Sequence, residues 1–364
     1  MIGEREAYLW FGSLKTIGPA GRREILDIFG NVTEFFSAPE QELMALVTEG
    51  GLKQETLEEI LLTRKEEGIR KTVEAYDKRG FRFLTPADPD YPELLREIPD
   101  PPATLFYRGH IEYLKDFRCL GVVGTRTPSL YGKEVARMFV PKLARGGLMI
   151  VSGMAAGIDT EAHKLAVAAG GKTAAVLGGG IDICYPQRNF SLYQEMCETQ
   201  LVLSEYPPGL PPIGARFPLR NRIISGLSEG VLVLEARKRS GTLITADAAL
   251  DQGRNVYSVP GRLGDPLSEG TNNLIRQGAM CVLEPEEIME DLGIKVKGRR
   301  GSGGSGDLTG PEKEVLSRLS LDPVYLDDLL TDEAGTLQEL LVALGALEKK
   351  GLIHQPIQGY YARN

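Results

Sequence analysis

The sequence predicts an α/β protein built on a doubly wound, mostly parallel sheet, flanked by a helical N-terminal domain and a small C-terminal winged-helix domain. Three observations carry this. From Arg118 to Leu283, short β-rich runs alternate with helical patterns through short links, the arrangement of a sheet with helices on both faces. Several of those runs are apolar without interruption, as strands are when both faces of a sheet are covered. Ahead of them the pattern is helical and acidic, and behind them a Gly/Ser tract separates a last short segment.

In chain order, helices are expected at Glu6–Leu14, Ala20–Phe29, Pro39–Thr48 and along the charged stretch Gln54–Arg79. The turn Thr16-Ile17-Gly18-Pro19-Ala20-Gly21 has the glycines of helix-hairpin-helix or SAM-like modules, whose backbone amides can hold a phosphate. It also reads as an ordinary turn in a small bundle, because Glu24 and Asp27 follow at once. The Pro-rich stretch from Pro86 to Pro102 leads into the sheet region.

Strands are expected at Cys119–Val123, Leu148–Ser152, Thr173–Leu177, Leu201–Ser204, Val231–Glu235, Asn255–Val259 and Met280–Leu283. Helices fall between them at Tyr131–Ala144, Thr160–Ala169, Asn189–Glu198, Leu219–Leu227, Leu243–Gln252 and Thr271–Gln277. A Gly/Ser linker follows. Then come three short helices (Gly310–Leu319, Val324–Leu330, Thr336–Lys349) and a hairpin (Leu352–Gln355, Gln358–Arg363), a winged-helix pattern. The expected domains are 1–84, 85–292 and 310–364, with 293–309 as linker. The would-be recognition helix Thr336–Lys349 is apolar and acidic, without the polar face that groove reading requires, which favours packing or protein contact.

The 364 residues carry 42 Lys+Arg and 50 Asp+Glu, a net charge of −8, which excludes a uniformly basic coat for polyanions. The distribution says more. Residues 1–117 hold 15 basic and 22 acidic side chains (−7), 118–283 hold 18 and 13 (+5), 284–306 hold 4 and 5 (−1), and 307–364 hold 5 and 10 (−5). A basic middle between acidic flanks points to an anionic ligand in the middle. The four cysteines lack any C-x-x-C spacing and fit reduced, cytoplasmic thiols; the three histidines lie far apart, so no metal or other cofactor is expected. The acidic N-terminus leads us to expect no secretory signal, and no apolar run is long enough to span a membrane.

Ligands of an open parallel sheet bind at the C-terminal ends of its strands. There the sequence places Gly124-Thr125-Arg126, then Ser152-Gly153-Met154, then Gly178-Gly179-Gly180 with Tyr185-Pro186 beyond. Glycines let a backbone approach an anion, and helix N-termini add unpaired amides. No G-x-G-x-x-G with an acidic ribose partner is present, so a dinucleotide is weakly supported. Arg216-Phe217-Pro218-Leu219-Arg220-Asn221-Arg222 is the strongest local signal: arginines gathered at a helix start, where the dipole prefers anions, imply a ligand that supplies the negative charge. Phe217 can stack on a base or pack in the core. Ser240-Gly241-Thr242 opens a further helix after Arg237-Lys238-Arg239, three cations that alone read as a solvated loop tip. Asp159 and His163 share a helix face as an acid–base pair or, more simply, as structural residues. No nucleophile elbow, H-E-x-x-H or Walker lysine appears, so no catalytic residue is expected.

Taken together, Ser152–Asp159 with His163, Phe217–Ile224, Ser240–Ala246, Val259-Pro260-Gly261 and Gly270–Ile275 resemble the motifs of the DprA (Smf) family of DNA-processing proteins. The resemblance is densest over residues 85–283. Ala156 stands where relatives often carry Arg, which puts less charge in that loop. The resemblance implies a Rossmann-like fold, cytoplasmic and non-enzymatic, that binds single-stranded DNA without sequence preference, loads RecA during natural transformation and forms a homodimer. It implies phosphate contacts from Arg126, Arg220, Arg222, Ser240 and Gly241 and a base contact from Phe217. The set expected from loops and motifs together is Gly124, Thr125, Arg126, Ser152, Gly153, Gly179, Arg216, Phe217, Arg220, Asn221, Arg222, Ser240, Gly241 and Thr242. The rival reading is a nucleotide-hydrolysing enzyme related to the phosphoribohydrolases miscalled lysine decarboxylases, but Ser240-Gly241-Thr242 lacks their Pro-Gly-Gly. An adaptor acting through its acidic ends is the third reading.

Overall fold

In the computed structural model, residues 2–295, 308–330 and 336–363 are described. Most of the expected linker, residues 296–307, lies outside them. The N-terminal helices are α1 (Glu4–Ser13), α2 (Pro19–Phe29), α3 (Val32–Ser37), α4 (Glu40–Thr48), α5 (Gln54–Thr63) and α6 (Glu66–Lys78). They close over one apolar cluster that includes Trp10, Phe11, Phe35 and Phe36. The expected single helix 54–79 is two. The chain breaks at Arg64, whose φ/ψ of −72°/65° is not helical and whose guanidinium donates to the Ala38 carbonyl at 2.6 Å. At the glycine turn, Glu59 accepts from the backbone amides of Lys15 and Thr16 and from the Thr16 hydroxyl at 2.6–3.1 Å. An internal carboxylate thus occupies the first amide of the turn that the sequence offered to a phosphate, together with the one before it.

Next come β1 (Arg82–Leu84), α7 (Glu93–Arg96), β2 (Leu105–Gly109) and α8 (Tyr113–Asp116). Neither strand was expected. Both join the central sheet at one edge, antiparallel, so residues 82–84 lie within the sheet rather than in the helical part. Short length and the surrounding prolines hide their period-2 pattern.

The sheet region then follows the expected alternation: β3 (Arg118–Val123), α9 (Leu130–Arg145), β4 (Leu148–Ser152), α10 (Ile158–Ala168), β5 (Thr173–Leu177), α11 (Phe190–Thr199), β6 (Leu201–Ser204), α12 (Arg216–Gly226), β7 (Gly230–Val233), α13 (Gly241–Asp251), β8 (Asn255–Ser258), α14 (Glu269–Arg276), β9 (Met280–Cys281) and α15 (Pro285–Asp291). The nine strands are ordered β1-β2-β6-β5-β4-β3-β7-β8-β9, and β3 to β9 pair in parallel. β4 to β7 are buried along their whole length, with apolar layers on both faces. From β3 the chain builds outward through β4, β5 and β6, then returns to lay β7 on the other side of β3. The strand order therefore switches between β3 and β7.

The C-terminal segment holds α16 (Gly310–Arg318), β10 (Val324–Tyr325), α17 (Leu326–Leu329), α18 (Leu337–Lys349), β11 (Ile353–Ile357) and β12 (Tyr360–Arg363), with a sheet ordered β10-β12-β11 and its own core around Leu340, Leu344 and Leu347. Residues 324–325 are a strand where helix was expected, because Val324 and Tyr325 pair with Tyr361 and Tyr360. No described helix is long and apolar enough to cross a membrane.

Candidate functional site

The crevice beyond the C-terminal ends of β3 and β7, at the switch in strand order, is where such a sheet takes ligands. A cavity of about 430 Å³ lies there. It is lined by Gly124, Thr125 and Arg126 from the loop after β3, by Phe217, Arg220 and Asn221 from α12, and by Arg237, Ser240, Gly241 and Thr242 from the passage into α13. A second cavity of about 220 Å³ adjoins it, sharing Arg126 and Phe217 and adding Gly153, Gly179, Tyr185 and Arg188.

Arg220 is the buried cation of the site, only 3% exposed. Its Nη1 donates to the Gly153 carbonyl at 2.8 Å and to the Val176 carbonyl, and its Nε donates to Asn221 Oδ1 at 3.2 Å. Asp159 Oδ2 accepts from the amides of Gly153 and Ala155 at 3.2 and 3.3 Å. Gly153 has to be glycine: a Cβ there would stand 2.5 Å from Arg220 Nη2 and 2.7 Å from Asp159 Oδ2. Burial raises the Asp159 carboxyl, opposed by Arg220, and pulls the Arg220 guanidinium down to about 10, opposed by Asp159. At neutral pH Arg220 remains a cation.

Above this buried pair sits an aromatic stack. The exposed Arg126 guanidinium lies 5.5 Å from the Phe217 ring centroid, and the Tyr185 ring lies 5.5 Å from Phe217 at 33°. Asn221 Nδ2 donates to the Gly241 carbonyl at 3.2 Å, tying α12 to the start of α13. At that start the Ser240 hydroxyl has no protein partner, and first-turn amides of a helix lack intrahelical acceptors. Cations, a π-face and free donors thus face one space, which suits a phosphate-bearing, base-bearing ligand.

Three expected residues lie outside both cavities. The Ser152 hydroxyl donates to the Val122 carbonyl at 2.6 Å. Arg216 donates to the Pro211 carbonyl and lies 5.0 Å from the Tyr206 ring. Arg222 is buried against Glu205. The reason is helix periodicity: Arg220 and Arg222, two residues apart in the second turn of α12, point to opposite sides, and Arg216 stands in the first turn, since the helix starts there and not at Leu219. His163 is also outside, fully buried, with Nδ1 2.7 Å from Thr173 Oγ1 and its basicity pushed down to about 3 by burial and by Arg220. The expected set omitted Arg237, Asp159, Tyr185 and Arg188. For Arg237 a signal existed: it lies in the loop just after a strand run, at the sheet edge that carries the other loops. Among the described residues no group of three or more His, Cys, Asp and Glu side chains gathers as a metal site.

The chain is 44% identical over 224 residues to DNA processing protein DprA of Bacillus subtilis, covering 62% of this chain and 75% of that one. The crystal structure of DNA processing protein A from Streptococcus pneumoniae superposes with a TM-score of 0.68 at 34% identity, covering 81% of this chain and 99% of that one. DNA processing protein A from Helicobacter pylori, described for its single-stranded DNA binding mode, superposes with a TM-score of 0.53 at 30% identity, over 58% of this chain and 95% of that one. Residues 82–293 match the family model of DNA recombination-mediator protein A, and the chain belongs to that DprA family.

Proposed function

We propose that this chain binds single-stranded DNA at the switch-point cavity as a non-catalytic recombination mediator. The observation that carries the reading is the convergence on one cavity of Arg126, Arg220 and Arg237 with the Phe217 ring and the uncapped start of α13. Phosphates attract the guanidinium forks and amides, and an unpaired base meets the π-face, a combination that tolerates any sequence. A small cavity of this kind also favours a strand whose bases can be splayed out. Gly124, Thr125, Gly153, Gly179, Asn221, Ser240, Gly241 and Thr242 shape the backbone of the site.

Non-catalytic action is supported by what the acidic groups do. Asp159 is engaged by two backbone amides, and Glu235, near the rival enzyme motif, accepts from the Ser129 amide and hydroxyl at 3.0 and 2.5 Å. Within this reading the chain acts as a homodimer that passes the strand to RecA. The helices ahead of β1 form a SAM-like domain and residues 310–364 a winged-helix domain. The helix–strand–helix–helix–hairpin order of the latter supports that assignment.

Fluorescence anisotropy with labelled oligo-dT tests the proposal. Binding is expected to weaken linearly in log K as log salt rises, with a slope of about −0.7 per phosphate contacted, and R220E is expected to lose most of it. Salt-independent binding, or full binding by R220E, refutes it. Release of free base from nucleoside monophosphates would restore the enzyme reading.

A further inference from the structure

The C-terminal segment meets the sheet region through two charged contacts. His354 on β11 places Nε2 2.6 Å from Glu134 Oε2 on α9, and Glu134, 3% exposed, also accepts from Arg137 one turn further on. Asp322, between α16 and β10, pairs with Arg262 in the segment after β8. Both contacts belong to the ligand-binding end of the sheet. α9 is capped by Ser129, in the loop after β3, and its Tyr131 hydroxyl donates to the Pro260 carbonyl at 2.7 Å. The segment carrying Arg262 continues to Leu267, whose carbonyl accepts from the Ala236 amide at 2.8 Å, next to Arg237 of the cavity.

Arg262 is an exposed cation on the same segment that reaches Ala236, the neighbour of the cavity's Arg237. Its partner lies in a segment, residues 307–364, with 5 basic and 10 acidic side chains. The Arg262–Asp322 pair is mostly exposed, 73% and 49%, so it holds weakly and a phosphate can displace it. The Glu134 carboxylate, by contrast, is sheltered and shared by Arg137 and His354, and it anchors the contact.

We infer that the surface formed by the start of α9 and the segment after β8 is a docking site for the chain's own acidic C-terminal unit, which withholds Arg262 from bound DNA when seated. This rests on the single-strand reading above, and DNA phosphates are the competing occupant. The partners at the anchor are Glu134 and Arg137 from α9 and His354 from β11; at the outer contact they are Arg262 and Asp322.

The test uses the full chain and three variants, H354A, D322N and D322N with R262A. Hydrogen exchange of α9 without DNA is expected to quicken in H354A, because the anchor is lost. D322N is expected to bind oligo-dT several-fold tighter at low salt, with a salt slope steeper by about 0.7, one more phosphate contact. Adding R262A is expected to cancel that gain. Unchanged exchange in H354A overturns the docking. A wild-type slope in D322N overturns the competition even if exchange changes. If neither wild type nor D322N binds oligo-dT, the single-strand reading falls and the competition with it, while the α9 exchange result still decides the docking.

Discussion

Arg222 and Glu205 form a buried ion pair of two hydrogen bonds, Nη2 to Oε1 at 2.8 Å and Nη1 to Oε2 at 3.1 Å. The same carboxylate receives Arg22 from α2 at 3.4 Å, and Arg22 Nη2 donates to the Gly12 and Leu14 carbonyls at 3.0 Å each. One glutamate thus joins the N-terminal helices to the helix that carries Phe217 and Arg220. Arg222 is held away from the cavity by this link, and the chemistry that made it resemble a phosphate ligand is spent internally.

The first prediction follows. E205A leaves two guanidinia buried without their counter-ion, and breaking a buried pair by removing one partner costs about 3–5 kcal/mol. Denaturant unfolding of E205A is expected to show a loss of that order. R222A is expected to lose stability comparably, while a surface control such as R145A stays near wild type. A change below about 1 kcal/mol in E205A would mean that the triad is not part of the folded core.

The contrast between Arg220 and Arg222 also shows what the sequence made legible. The alternation of strand and helix patterns identified seven parallel strands, and several of them showed the uninterrupted apolar run that burial on both faces leaves in composition. The glycine and hydroxyl loops followed from the rule for strand ends. Helix phase was not legible. Residues two apart lie about 200° apart around any α-helix, and only packing, mainly against α13 and β5, decides that Arg220 rather than Arg222 faces the cavity. The edge strands β1 and β2 escaped because each is short, lies beside prolines and depends on pairing with distant residues rather than on local pattern.

The second prediction concerns acid. His163 is fully buried, and its folded-state basicity lies near 3 against an ordinary 6.5, so the folded protein binds a proton there less readily than the unfolded chain does. Its contribution to stability is complete above pH 6.5 and drains away as pH falls toward 3. Between pH 7.5 and pH 5 the loss from this one residue is about 2 kcal/mol. H163Q, whose side chain does not titrate, is expected to remove that part of the pH dependence, read as the difference in denaturant midpoints at the two pH values. An identical pH dependence in wild type and H163Q would contradict the burial argument.

Gly178 supplies the third. A Cβ at this position would stand 2.7 Å from Phe217 Cδ1 and 2.9 Å from Cε1, so G178A must displace the ring. The substitution changes no charge. Oligo-dT affinity is expected to fall toward that of F217A, by about 1–3 kcal/mol if one base stacks there, while the slope of log K against log salt stays at the wild-type value. A loss of slope would show instead that the phosphate contacts had moved, and an unchanged affinity would remove Phe217 from the interface.

The fourth prediction separates arginines that face the ligand from arginines that only neighbour it. Arg237 is exposed, lines the cavity and lies in the loop between β7 and α13. Arg216 lies within a turn of Phe217 but donates to the Pro211 carbonyl and rests on Tyr206. Composition weighs the two alike; geometry does not. R237A is expected to weaken oligo-dT binding at every salt concentration and to reduce the salt slope by about 0.7, the signature of one lost phosphate contact. R216A is expected to leave the slope unchanged. If R216A lowers the slope and R237A does not, the strand runs along the Pro211 side of α12 rather than toward α13, and the start of α13 is not where the phosphate sits.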